Sequence, residues 1–264
     1  MKPFTSSSTL LGVALAVQFA SGTPGAYAGN LPPQQFPTIT ITIEDGSATA
    51  PSWSHTTVAD DYQPLTDGSV GYALTSPSAF DILDDRAHVQ INGLLFDPDP
   101  FVLNNILVTN TTATPQIFSA FVGFPTTFAA PNLISGNVQT GVIDGGFDGA
   151  TVAAVSPTAL YQAQIDFATV ATLQDVPFSL TAPPGGSNSA SASFGPTVSG
   201  VPVSSNIGIQ LRFSVTPGDT VSILSRFDVV AVPEPSSAAM LLLPAGLLLL
   251  RTRRAGSDRN LRAA

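Results

Sequence analysis

The side chains of this sequence that could do chemistry are mainly aspartates. One close group is Asp97 and Asp99, which flank a proline, and a second is Asp144 and Asp148, which flank two glycines and a phenylalanine. Calcium prefers six to eight oxygen ligands, and neither group supplies that many by itself. Aspartate beside proline or glycine is also typical of turns. These four aspartates are therefore weak calcium candidates, and we expect them mainly to form turns, without a metal or another cofactor.

Other catalytic groups are scarce. His55 and His88 lack the paired spacing of a metal site, and His88 falls on the polar face of a predicted strand. The sequence has no cysteine nucleophile and no nucleophile-elbow motif of a serine hydrolase. Between residues 29 and 234 the only glutamates are Glu44 and Glu234, although paired carboxylates could still come from aspartates. We expect no enzymatic activity, and a secreted hydrolase is the least favoured alternative.

Three aromatic residues leave a binding function open. Trp53, Tyr62 and Tyr72 lie in one mixed stretch of small and polar residues, from 46 to 80, which we predict to be loop with one or two short strands. Exposed aromatic rings can form a platform for sugars, but packing in the core would explain these three residues equally well. A carbohydrate-binding or adhesive module is therefore an alternative function.

The elements that must position these groups are predicted to be strands. In residues 38–43 threonine and isoleucine alternate strictly, and this period of two indicates a strand with one buried face. Similar patterns, bounded by proline and glycine turns, recur along the chain. We predict strands at 38–43, 86–92, 101–109, 117–124, 133–143, 151–155, 160–168, 207–215 and 221–231.

This pattern predicts an all-β protein. About eight to ten short strands and no convincing helix indicate a single antiparallel β-sandwich, with a jelly-roll variant equally open. We expect hairpins to join 101–109 to 117–124, and 207–215 to 221–231. Asn92-Gly93 is predicted to be a turn.

Two further expectations concern the middle of the chain. In 160–168 the residues Tyr161, Ala163, Ile165 and Phe167 are expected to share one face of a strand. Residues 182–200 are rich in proline, glycine and serine, and this low complexity predicts a mobile loop.

Charge and cysteine content limit the partners. Residues 29–232 carry 16 acidic and 3 basic side chains, an excess of 13 negative charges. Such a surface argues against binding to nucleic acid or to anionic membrane surfaces. Cysteine is absent, so no disulfide can stabilise the domain, and its core must be sufficient.

The N-terminus has the features of a signal peptide. Lys2 supplies a basic start, 10–20 is apolar, and Ala26 and Ala28 form a small-x-small cleavage site. We predict that residues 1–28 are removed, that the protein is exported, and that the ectodomain covers 29–232.

The C-terminus has the features of a membrane anchor. Residues 236–250 contain no charge and are rich in leucine, and as a helix they would span roughly 22 Å. This is short for a transmembrane helix, but local thinning of the bilayer can accommodate it. Arg251, Arg253 and Arg254 follow directly and predict that this end stays in the cytoplasm, together with a tail at 255–264.

The ordered C-terminal features resemble a known sorting signal. Pro233, Glu234 and Pro235, then the short apolar run, then the arginine cluster make 233–254 similar to the PEP-CTERM signal of Gram-negative bacteria. This resemblance implies that an exosortase, a membrane enzyme, recognises and processes the C-terminus. It also implies delivery to the cell surface or to an exopolysaccharide matrix, with extracellular polysaccharide as a further partner. The tail after the arginines is longer than is usual in that family.

The resemblance extends into the ectodomain. An Asp-Pro-Phe strand start, followed by Val108-Thr109-Asn110 and Thr114-Pro115-Gln116, is similar to a segment that recurs in PEP-CTERM ectodomains. No biochemical role follows from that segment.

Overall fold

The computed structural model describes residues 38–44, 52–56, 62–64, 72–74, 78–82, 86–97, 101–127 and 129–232. The predicted signal peptide with Ala26 and Ala28 lies outside these residues. So do Asp99, the Pro233-Glu234-Pro235 motif, the predicted transmembrane segment, the arginine cluster and the tail. Among the described residues there is no helix that could span a membrane.

The described residues form sixteen strands. The first eight are β1 (Thr38–Glu44), β2 (Ser52–Thr56), β3 (Tyr62–Pro64), β4 (Tyr72–Leu74), β5 (Ser78–Ile82), β6 (Ala87–Asp97), β7 (Phe101–Asn110) and β8 (Gln116–Pro125). The other eight are β9 (Asn132–Ile143), β10 (Ala150–Ala154), β11 (Tyr161–Ile165), β12 (Ala168–Leu173), β13 (Ser179–Ala182), β14 (Ser187–Ser199), β15 (Asn206–Val215) and β16 (Thr220–Ala231).

The strands form two antiparallel sheets. The first has the order β12-β11-β15-β8-β1-β2, and β10 and β13 join it beside β15. The second has the order β14-β9-β16-β7-β6-β4-β3, with β5 also paired to β6. The described part of the chain is therefore all-β, as predicted, and it contains no helix. The jelly-roll variant stays a prediction.

The two sheets face each other across one apolar core. Alternation in β1 buries Ile39, Ile41 and Ile43, as the sequence pattern predicts. Ring contacts join the sheets: Phe96 of one stacks on Phe124 of the other, with centroids 5.5 Å apart. Aromatic pairs at this distance add to the free energy gained by burial. The arrangement is sandwich-like.

Both predicted hairpins are wrong. β7 lies in the second sheet and β8 in the first, and β15 and β16 are divided in the same way. Instead, β8 pairs with β15 and β7 pairs with β16. Sequence neighbours with two strong apolar faces usually pair, but here each connection crosses from one sheet to the other and so closes the sandwich.

Three local expectations are also corrected. Asn92-Gly93 is not a turn, because β6 continues through it with a register shift between Ile91 and Gly93. Residues 160–168 are not one strand, since Asp166 and Phe167 have positive φ and form the turn between β11 and β12. Phe167 is therefore exposed, and only its three predicted partners on that face are buried.

The predicted loop at 182–200 is largely a strand. β14 runs for 13 residues along β9, at the end of the second sheet. Serine and alanine lack the bulk that usually signals a strand, but the ladder to β9 supplies the stabilisation that the side chains do not. The stretch 46–80 also holds more strands than predicted, namely β2 to β4 and the start of β5.

Candidate functional site

The structure brings two of the four calcium candidates together and adds a third aspartate. Asp144 ends the β9 strand, Asp148 lies in the following turn, and Asp219 lies between β15 and β16. One carboxylate oxygen from each lies within 4.8 Å of the others. Asp219 is completely buried, Asp144 nearly so, and Asp148 is exposed. We define these three residues as the aspartate cluster.

Backbone amides already occupy most of the cluster's oxygens. Asp144 Oδ1 accepts hydrogen bonds from the amides of Gly146 and Phe147, both 3.0 Å, and its Oδ2 accepts one from Gly185 at 2.5 Å. Asp219 Oδ1 accepts one from the amide of Gly145 at 3.1 Å, and its Oδ2 accepts one from the Thr216 hydroxyl. The cluster therefore holds three loops together.

The electrostatics of Asp144 agree with this role. The hydrogen bond from Gly185 lowers the pKa of Asp144 most; burial opposes this, and the amides of Gly149, Gly146 and Phe147 lower it further. Amide dipoles favour the charged form of a carboxylate in this way. The arrangement can offer a few oxygens to a cation, but its geometry is explained by the loops that it binds.

The other two calcium candidates do not join the cluster. Asp97 is the last residue of β6, which pairs with β7 at Phe101, and Asp99 lies outside the described residues. Asp219 was overlooked because Pro217-Gly218-Asp219 reads as a turn, and the sequence has no signal that links it to Asp144, 75 positions earlier.

Asp144→Asn is expected to lower stability in a pH-dependent way. Since the folded pKa of Asp144 is depressed, its carboxylate stabilises the fold above the unfolded pKa of about 3.9, and this contribution is lost as pH falls through the folded value. The difference in unfolding free energy between wild type and variant should therefore be largest near neutral pH and shrink in acid. Urea unfolding at several pH values measures it.

Asp148→Asn is the matched control for this experiment, because it removes one negative charge from the same turn but not the amide contacts of Asp144. It should cost less stability at neutral pH. A loss for Asp144→Asn that is equal to the control, or that grows in acid, would contradict the assignment.

Asn110 organises the corner where both sheet-to-sheet connections meet. Its Nδ2 donates to the carbonyls of Thr114, Val215 and Thr216, at 2.9, 3.0 and 3.2 Å. Its Oδ1 accepts from the amide and hydroxyl of Thr112, at 3.0 and 2.8 Å. The side chain is completely buried. One amide group therefore fixes the loop after β7 against the loop after β15.

The neighbouring Gln116 completes this corner. Its Nε2 donates to the hydroxyls of Thr112 and Thr114, and its Oε1 accepts from Arg86 at 2.9 Å. Asn110 and Gln116 are the polar ends of the two motifs that resemble the recurrent ectodomain segment. Their contacts give those motifs a structural role: they fold the loop that carries the chain between the sheets.

An ion pair connects two strands of the first sheet that are not neighbours. Arg212 of β15 reaches across β8 to Glu44 of β1, with Nη2 and Oε2 2.6 Å apart. Its Nη1 also donates to the Val155 carbonyl at 3.0 Å. The Arg212 hydrogen bond lowers the pKa of Glu44, with burial opposing it, and the same hydrogen bond raises the pKa of Arg212. The only glutamate in the described residues is thus a structural partner.

A further carboxylate that sequence reasoning overlooked also holds a loop. Asp166, in the turn after β11, accepts hydrogen bonds from the amides of Ser204, Ser205 and Asn206, between 2.7 and 3.0 Å. Burial would raise the pKa of Asp166, but these amides and the Ser205 hydroxyl outweigh it and lower the pKa. The turn is thereby attached to the segment before β15.

The predicted aromatic platform is divided between the sheets. Trp53 belongs to β2 at the end of the first sheet, whereas Tyr62 and Tyr72 belong to β3 and β4 of the second. An aromatic pair that the sequence did not predict lies elsewhere: the exposed Phe167 contacts Phe121, with ring centroids 5.7 Å apart. Phe121 can lie flat on the sheet because Gly123 and Gly208 beneath it carry no Cβ.

His88 lies on an exposed position of β6, as predicted, and His55 lies on β2. Neither histidine belongs to the aspartate cluster. No protein-family model matches this chain, and no curated protein matches it.

Proposed function

We propose that this chain is an exported structural or interaction protein of the cell surface or extracellular matrix, sorted through its C-terminus by an exosortase. The observation that carries the proposal is the order of features in the sequence: Pro233-Glu234-Pro235, the uncharged 236–250 run, and the arginines at 251, 253 and 254. A signal peptide at 1–28 would supply the export step.

The position of the last strand supports this proposal. β16 pairs with β7 on one side and β9 on the other, so it lies inside the second sheet and ends at Ala231. Pro233 follows after one residue. A folded body that ends this close to the motif would be presented to the envelope with almost no linker.

The roles of the polar side chains support a structural protein. Asp144, Asp166 and Asp219 use their oxygens to hold loops, and Glu44 uses its oxygens to bind Arg212. Polar groups that are satisfied by the fold rigidify it and are not aimed at a substrate. The acidic surface also suits a protein that stays soluble outside the cell.

Replacing Pro233 and Pro235 with alanine in the native host tests the proposal. We expect the variant to accumulate unprocessed in the membrane fraction and to be lost from the cell surface, because the enzyme would no longer recognise the motif. Immunoblots of fractionated cells measure both the size and the location of the chain.

The matched control replaces two exposed prolines of the ectodomain, Pro115 and Pro202, with alanine. This variant carries the same pair of substitutions and should be processed like wild type. Unchanged processing and unchanged surface delivery of the Pro233/Pro235 variant would refute the sorting proposal.

A further inference from the structure

The free edge of β14 is an unusual feature of the second sheet. β14 pairs with β9 over most of its length, and among the described strands none pairs with its other side. An edge strand presents a row of unpaired amides and carbonyls, and proteins usually protect such an edge with charged residues or with a very short strand. β14 has neither protection: it is 13 residues long, and residues 176–211 contain no charged side chain.

The backbone at this edge is available for pairing. The amide of Ser189 donates to the side chain of its own neighbour, Asn188, at 2.9 Å, and so it does not take part in the ladder to β9. In an antiparallel strand the two sides alternate, so the amides of Ser191 and Ser193 also point away from β9. Their side chains are exposed.

The side chains of β14 permit close approach. Ala190, Ala192 and Phe194 pack against the core, and the opposite face carries the exposed serines. The strand is regular from Ser187 to Phe194 and then ends its register at Gly195, which has a φ of 80°, and Pro196. A straight segment of eight residues with small side chains is therefore open along one side.

We propose that this edge pairs antiparallel with β14 of a second copy of the chain, so that the second sheets of two molecules become continuous. The occupant follows from charge and symmetry. Two copies repel each other over most of their acidic surface, and the uncharged edge is where this repulsion is weakest. A serine at every other position matches itself across a two-fold axis, as an interface between identical surfaces requires.

The break at Gly195 and Pro196 limits the pairing to the straight segment. Its contacts are backbone hydrogen bonds between a few residues, each with a modest net effect. Association costs translational and rotational freedom, so the pair forms weakly in dilute solution. A covalent trap is therefore the suitable measurement.

The absence of cysteine makes such a trap specific, because a single introduced cysteine is the only thiol in the chain. Ser191→Cys in the purified full-length protein is treated with a short bismaleimide. Directly opposed and diagonal residues of paired strands both lie within reach of such a reagent. We expect a cross-linked product of twice the monomer mass. Ala113→Cys, exposed in the loop after β7, is the control and should remain monomeric.

A second variant tests whether the pairing uses this edge. Adding Ser189→Lys and Ser193→Lys to Ser191→Cys places like charges opposite each other across the two-fold axis, and should reduce the cross-linked fraction roughly tenfold. Adding Ala113→Lys and Thr127→Lys instead places the same charge elsewhere and should leave that fraction unchanged.

Three outcomes would overturn the proposal. One is a Ser191→Cys dimer no more abundant than that of Ala113→Cys. Another is a dimer that the two edge lysines do not weaken. The last is a product of a different mass, which would assign the edge to another protein.

Discussion

Asn110→Ala is expected to lower the free energy of unfolding by roughly 3–5 kcal/mol, because several buried groups lose their partner at once. The carbonyls of Thr114, Val215 and Thr216 would lose the donor Nδ2, and Thr112 would lose its acceptor. Water cannot easily replace these contacts, since Asn110 is completely buried. Urea denaturation followed by circular dichroism measures the loss.

Two variants sharpen this experiment. Asn110→Asp keeps the acceptor for Thr112 but aims a carboxylate at three carbonyls, so it should destabilise the protein about as strongly as alanine does. Asn137→Ala removes the same atoms from an exposed position of β9 and should change the stability by less than about 0.5 kcal/mol. If Asn110→Ala behaved like Asn137→Ala, the corner would not depend on the Asn110 side chain.

Phe213→Ala is expected to cost about 3–5 kcal/mol, because it creates a cavity in the middle of the core. Phe213 of β15 is directly opposite Phe118 of β8, with ring centroids 5.7 Å apart, and both rings are buried. Neighbouring strands cannot close the gap without breaking the ladder between them. The unfolding free energy from urea titration is again the measurement.

Phe147→Ala is the matched control, since it removes the same atoms from a ring that is 79% exposed. It should change stability by less than about 0.5 kcal/mol. Phe213→Leu should lie between the two, because leucine fills part of the cavity. Equal effects at positions 147 and 213 would contradict the position of the core.

Much of the local structure follows from the sequence. The inward faces of β1, β15 and β16 are read directly from alternation, because side chains of a strand point to opposite sides in turn. The same rule fails at Phe167. There Asp166 takes a positive φ and its carboxylate is held by the segment before β15, a contact across 40 positions that periodicity does not register.

The candidate site was predicted only in part. Asp144 and Asp148 lie close together in sequence, so their proximity could be expected. Asp219 joins them through the meeting of two loops, and its turn-like surroundings gave no sign of this. The structural role of Asn110 and Gln116 was likewise hidden, although the motifs that contain them stood out.

The sequence alone determined that the chain is acidic, free of cysteine and built of alternating strands, because composition and period are properties of neighbouring residues. It also carries the C-terminal features on which the proposed sorting depends. The tertiary structure decided which strands pair, that β7 and β8 lie in different sheets, and that β14 is an open edge among the described strands. The physical reason is distance along the chain: pairing and corner contacts join residues such as Asn110 and Val215, which are 105 positions apart and meet only when both sheets have formed.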